Sequence, residues 1–260
     1  MQALGAMRVL RHSRWMVPGR ILAVFCLLLG LLLMGQARAE DVPACPPAPL
    51  QLLHLPRLAQ ALAEGREARI LAFGSSSTQG AYASAPDRTY PARLEAALRR
   101  EGLAVRVLNL GRGGEDALEM RARLEADVVA AEPDLVIWQL GVNGAIREHS
   151  LTRFRTLLRQ GVARMQEAGA DVVLMDSQRG PWARAHAVLR DAFDGVLAEV
   201  AQERGIQLFS RRKMMDAWAA GGTADAAVIA PDGLHHNDRG YACLAEALAA
   251  GIRAEMPVSR

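Results

Sequence analysis

Five short apolar runs, separated by stretches with helical spacing, constrain this chain more than any other feature. They occupy residues 69–73, 105–110, 135–140, 171–175 and 206–209. Runs this short and this continuously apolar suit strands buried on both faces, as in a parallel sheet. Pro91 opens one intervening helix that continues through Leu94 and Leu98, since proline is tolerated in a first turn. Leu151, Phe154, Leu158, Val162 and Met165 share one helical face, as do Leu189, Phe193, Val196 and Val200. Tyr241, Leu244, Leu248 and Ile252 make a last amphipathic helix, with Asn237 or Asp238 placed to cap it. Strands alternating with helices predict one α/β domain whose parallel sheet is covered on both faces. No internal repeat or second domain is visible. In such a fold the working residues sit on loops beyond the carboxyl ends of the strands.

The ends carry different information. Residues 1–39 hold Arg8, Arg11, Arg14, Arg20 and Arg38 and no acid. A 14-residue apolar run over 21–34 follows the first four arginines, and Ala37-Arg38-Ala39 comes just after it. Basic start, short apolar core and small residues at an A-x-A site are the pattern of a secretory signal, so cleavage after Ala39 is expected. The apolar run is shorter than the roughly 18 residues of a spanning helix. An uncleaved N-terminal anchor is the alternative. Residues 40–50 contain Pro43, Pro46, Pro47 and Pro49 and read as an extended leader, which leaves 51–260 for the folded domain.

Cleavage would change the charge balance. The whole chain has 31 basic and 28 acidic residues, a net +3. Without the five arginines of the signal, 26 basic residues face 28 acidic ones, near −2. A nucleic-acid partner then loses its electrostatic basis. Of the three cysteines, Cys26 lies in the signal, while Cys45 and Cys243 remain. An oxidising compartment would permit them to pair; a free near-terminal thiol and a small buried one fit the spacing equally well.

Four loop motifs follow the strands in order. Gly74-Ser75-Ser76-Ser77-Thr78 comes after the first. Serine is a poor nucleophile until a neighbouring base takes its proton. Near the other end stands Asp232-Gly233-Leu234-His235, where His235 could act as that base and Asp232 fix its tautomer. Gly111-Arg112-Gly113-Gly114 fails as a dinucleotide loop, because the sixth position is Asp116, a carboxylate where pyrophosphate would approach. Its glycines suit a backbone N–H aimed at a developing oxyanion, and Asn143 in Gly141-Val142-Asn143 could add an amide donor. Each motif alone is weak: a polar turn, a plain helix entry and a solvated acid near a loop histidine are the ordinary readings. The serine motif also lacks the G-x-S-x-G elbow of α/β-hydrolases.

Together and in this order, the four segments resemble the SGNH hydrolase family, also called GDSL-type esterases. Ser76 matches its nucleophile, Gly114 its oxyanion glycine, Asn143 the asparagine of G-x-N-D, and Asp232 with His235 the closing D-x-x-H. The resemblance covers residues 69–250. It implies a flavodoxin-like three-layer α/β/α sandwich with a five-stranded parallel sheet. It also implies hydrolysis of carboxylic esters through an acyl-serine, with Ser76, Asp232 and His235 catalytic. The oxyanion would lie against the N–H groups of Ser76 and Gly114 and the amide of Asn143. No metal or organic cofactor is implied.

There are two departures. Ser75 replaces the family's aspartate before the nucleophile, and Gly144 replaces the acid after the asparagine. Both are expected to loosen loop support. Ser75 and Ser77 are lesser nucleophile candidates, and His236 rivals His235 but breaks the spacing from Asp232. After the fourth strand, Gln178-Arg179-Gly180-Pro181-Trp182 faces the same rim, where Arg179 or Trp182 would bind a polar substrate or simply form a surface loop. Trp138, Met214 and Met215 read as packing residues, and His54 and His186 as structural residues in helical patterns.

The expected protein is an exported serine esterase, periplasmic or secreted, acting on a small-molecule or glycan ester, O-acetyl esters included. It needs no nucleic acid and has no stable membrane insertion once the signal is removed. A lipid esterase or thioesterase, an acyltransferase using the same acyl-serine, and a catalytically silent glycan-binding module remain alternatives.

Overall fold

The structure, a computed structural model, describes residues 44–256. The expected signal segment, 1–39, lies outside the described residues. The apolar runs form β1 (Ala68–Gly74), β2 (Val105–Gly111), β3 (Leu135–Gln139), β4 (Asp171–Met175) and β5 (Gln207–Phe209). All pairings are parallel, in the order β2-β1-β3-β4-β5. The register sets Gly74 beside Gly111 and Phe73 beside Trp138. The chain starts inside the sheet, moves to one edge and then crosses to the other side. The loops after β1 and β3 therefore leave neighbouring strands in opposite directions and open a crevice between them.

Ten α-helices connect these strands among the described residues: α1 (Pro56–Ala63), α2 (Ser76–Gln79), α3 (Tyr90–Arg100), α4 (Ala117–Asp127), α5 (Val142–Ile146), α6 (Leu151–Glu167), α7 (Pro181–Ala185), α8 (Ala187–Arg204), α9 (Arg211–Ala220) and α10 (Asp238–Arg253). Alternation along each strand divides the core into two layers. Ile70, Ala72, Ile137, Val173 and Met175 face α1, α3, α9 and α10, packing on Leu58, Leu94, Met214 and Leu244. Leu71, Phe73, Val136, Trp138 and Leu174 face α4, α6 and α8, packing on Leu124, Leu158, Val162 and Leu197. The result is a five-stranded parallel sheet between helical layers, as the resemblance implied.

Trp138, Met214 and Met215 are buried in these layers, in line with their packing role. Asn237 caps α10 by accepting the Gly240 N–H at 3.0 Å. His54 is a correction: it lies in the irregular segment before α1, because Pro56 starts that helix only at its own position. His186 is another, standing at the turn that separates α7 from α8. Cys45 and Cys243 are joined in a disulfide across a separation of 198 residues, fastening the proline-rich leader to α10.

Candidate active site

Ser75 and Ser76 turn the chain from β1 into α2, with Ser75 at the N-cap and Ser76 the first helical residue. A residue at that position has an N–H with no partner inside the helix. On the far side, the chain passes from an isolated bridge between Ile229 and His236 into α10. Asp232 Oδ1 accepts the N–H groups of Leu234 and His235, each at 3.0 Å. This side-chain turn brings the ring of His235 back over the same carboxylate. His235 Nδ1 is 2.5 Å from Asp232 Oδ2, and Nε2 is 2.7 Å from Ser76 Oγ.

These distances define the protonation pattern. Burial pushes the Asp232 carboxyl up, but the His235 ring and the N–H groups of Leu234 and His235 outweigh it and hold the group below its usual value. An ionised carboxylate only accepts hydrogen bonds, so Nδ1 carries a proton, and in the neutral ring Nε2 is the acceptor that faces the Ser76 hydroxyl. Tyr82 stacks on the His235 ring, with centroids 5.7 Å apart and planes at 25°. It does so from a left-handed backbone, φ +65°, unusual for a tyrosine. Its loop is fastened to α10 by Ser84 N–H to Asp238 Oδ1 at 2.8 Å and Tyr241 O–H to Ala81 O at 2.8 Å.

The rival histidine is elsewhere. His236 is fully buried and its Nδ1 lies 3.1 Å from Val228 O. Burial, with the Arg211 charge, pulls its pKa down to about 3. The other serines bond elsewhere than to His235. Ser75 Oγ donates to Gln139 Oε1 at 3.1 Å, and Ser77 Oγ accepts from Gln178 Nε2 at 3.2 Å.

The loop after β2 presents Gly114 with φ +80°, a conformation that glycine adopts without a side-chain penalty. Arg147 holds this turn through Nη2 to Gly114 O at 2.7 Å, and pairs with Asp116 at 2.8 Å. Asp116 is the N-cap of α4, accepting from Leu118 and Glu119, with Glu119 returning the bond to the Asp116 N–H. The residue that excludes pyrophosphate from this loop therefore already occupies the helix terminus. Asn143 leaves β3 on α5 and donates one amide hydrogen to Glu115 O at 2.7 Å. That bond fastens the second motif to the third and leaves the other amide hydrogen for a ligand.

Neither departure from the family pattern leaves a loose loop, contrary to the expectation from sequence. In place of an aspartate at 75, Gln139 Oε1 accepts three donors: Ser75 N at 3.1 Å, Ser75 Oγ at 3.1 Å and Thr78 Oγ1 at 3.1 Å. In place of an acid at 144, the ring of Phe193 is so close that a Cβ on Gly144 would lie 2.6 Å from its Cε1. Arg179 is paired with Asp216, and Trp182 stacks on His186 at 4.2 Å, so both side chains are already engaged within the protein. Gln139, Tyr82 and Arg147 escaped the sequence reading. The first sits at the end of an apolar run and carries the only available signal, a polar side chain where the strand enters the rim.

The family profile of the non-GDSL lipase-like family matches residues 44–257. An arylesterase of Vibrio mimicus is 26% identical over 141 residues, covering 54% of this chain and 68% of that protein. The fold is similar to the lipase/acylhydrolase from Enterococcus faecalis, with TM-score 0.63 and 22% identity over 74% of this chain and 99% of the other. It is also similar to Axe2, an acetylxylan esterase from Geobacillus stearothermophilus, with TM-score 0.61 and 22% identity over 74% of this chain and 97% of the other. The chain therefore belongs to the non-GDSL lipase-like family and is an enzyme of the SGNH/GDSL type, acting on ester bonds.

Proposed function

We propose that the chain is an exported serine esterase that cleaves carboxylic esters, O-acetyl esters of glycans among them, through an acyl-serine. The reading is carried by one observation: Ser76 Oγ, His235 Nε2, His235 Nδ1 and Asp232 Oδ2 form an unbroken hydrogen-bonded line of 2.7 and 2.5 Å. Ser76 Oγ attacks the ester carbonyl as its proton passes to His235 Nε2. The carbonyl oxygen becomes negative against the N–H groups of Ser76 and Gly114 and the Asn143 amide. His235 then gives its proton to the departing alkoxide, releasing the alcohol. Water attacks the acyl-serine, losing a proton to His235, and the carboxylic acid leaves as Ser76 recovers its hydrogen. Asp232 orients the ring and stabilises the imidazolium throughout.

Export is supported by the basic, apolar and A-x-A pattern of residues 1–39 and by the Cys45–Cys243 disulfide, a bond that persists in oxidising compartments. Among the described residues no helix is long and apolar enough to cross a membrane. The acetyl-glycan assignment draws on the likeness to an acetylxylan esterase. The silent binding module is less favoured, since Ser76, His235 and Asp232 keep an unbroken hydrogen-bonded line despite both departures. Turnover of p-nitrophenyl acetate and of acetylated oligosaccharide by the wild type, beside Ser76→Ala, tests the reading. Loss of at least about 1,000-fold in the variant is expected; equal rates in both would remove Ser76 from this role.

A further inference from the structure

Gln178 follows β4 and is 2% exposed, yet it is a polar side chain with work outside its own element. Its Nε2 donates to Ser77 Oγ at 3.2 Å and to Leu234 O at 3.0 Å. Ser77 is the residue after the nucleophile, and Leu234 is the residue before the base. A carbonyl such as Leu234 O only accepts, so the amide nitrogen, not the oxygen, must face it. The remaining atom, Oε1, is buried with no hydrogen-bond partner among the described residues. An unpaired buried acceptor is a cost to stability that an apolar side chain of the same length would avoid. What an amide contributes at this position is therefore the pair of bonds made by its nitrogen, one to each loop.

We infer that Gln178 is a positioning residue, spanning the loops of the nucleophile and the base and fixing the separation between Ser76 Oγ and His235 Nε2. The inference rests on the serine-esterase reading above. Ser76 and His235 are 159 residues apart and belong to different loops, so their 2.7 Å contact depends on how those loops are held. Gln139 fixes Ser75 and Thr78 to β3, and Asp232 fixes His235 within its own loop. Gln178 adds a bond to each side, from the end of a third strand. Misplacement of reacting groups by about 1 Å can lower a rate on the order of 100-fold.

The test compares wild type, Gln178→Met and Ser77→Ala, using p-nitrophenyl acetate kinetics and fluorophosphonate labelling. Methionine keeps the length and volume and removes both donors. Gln178→Met is expected to lower kcat by about 10- to 100-fold with KM within about twofold. Its labelling rate should fall in parallel, while the number of sites that label per molecule stays near one. Ser77→Ala, which removes one anchor with little change in volume, should lower kcat by several-fold and cover the case in which Gln178→Met does not fold. The double variant should lose less than the product of the two. A kcat within threefold of wild type in both single variants overturns the inference. So does a Gln178→Met sample in which fewer molecules label but those that do react at the wild-type rate, the mark of a merely structural role. If the wild type neither turns over esters nor labels, the esterase reading itself fails and this inference falls with it.

Discussion

Lowering the pH from 7.5 to 5.0 should destabilise the protein through His236, and the size of the effect follows from its surroundings. The ring is fully buried, its Nδ1 meets Val228 O, and Trp218 and Tyr241 pack on it edge-on at 6.5 and 5.6 Å. Burial and the Arg211 charge lower its pKa to about 3 from the ordinary 6.5. The folded value is the depressed one, so between about pH 3 and 6.5 the unfolded chain holds a proton that the folded chain refuses. The stabilising contribution is complete above pH 6.5 and is lost as the pH falls. At pH 5.0 the loss is about 2 kcal/mol, roughly 4–8 °C in Tm for a domain of this size. Asp176 works in the opposite sense. Burial raises its pKa to about 6, so its protonation favours the folded state as the pH falls and masks part of the slope. The difference between wild type and His236→Asn isolates the histidine. Asparagine keeps a donor for Val228 O, and its packing defect is present at both pH values. Urea unfolding at pH 7.5 and 5.0 should show the variant gaining about 2 kcal/mol relative to wild type at the lower pH. It should also retain the ester turnover that His235→Asn loses. An identical pH dependence in wild type and variant would refute a neutral, buried His236.

Asn143→Ala should lower kcat on p-nitrophenyl acetate by about 100- to 1,000-fold with little change in KM, because in the proposed mechanism the amide donates to the oxyanion. Gly144→Asp, which restores the family's acid, forces a Cβ against Phe193 and should cost roughly 1–3 kcal/mol by urea unfolding. Adding Phe193→Leu should recover part of that loss, and no recovery would mean the crowding lies elsewhere. Cys243→Ala should lower stability by roughly 2–4 kcal/mol, since the bridge closes a long loop in the unfolded chain. Reductant should lower the Tm of the wild type and leave that of the variant unchanged.

The strands could be read from the sequence because a parallel sheet buries both faces, leaving runs such as 135–139 without a polar interruption until Gln139. Helices α6, α8 and α10 were equally clear from their apolar stripes. By contrast, α4 reads ALEMRARLEAD, with charge around much of its surface and a buried Arg123. That arginine bonds Gly74 O and Leu110 O at the ends of two strands and pairs with Glu115, and only the assembled sheet explains it. The site divides in the same way. Ser76, Gly114, Asn143, Asp232 and His235 belong to ordered local motifs, whereas the supports of Gln139, Gln178 and Tyr82 come from other elements of the chain. The effect of the two departures is hidden from the sequence for the same reason: the groups packed at those positions, Gln139 against Ser75 and Phe193 against Gly144, lie 64 and 49 residues away.

Locating the adduct left by a fluorophosphonate on the peptide that contains Ser75, Ser76 and Ser77 decides which hydroxyl is the nucleophile. Fragmentation of the labelled peptide should place the phosphonyl group on Ser76 Oγ in wild type, with no adduct formed in His235→Asn. An adduct on Ser75, on Ser77 or on a different peptide, or labelling at the wild-type rate without the imidazole, would contradict the assignment of Ser76 and His235 as nucleophile and base.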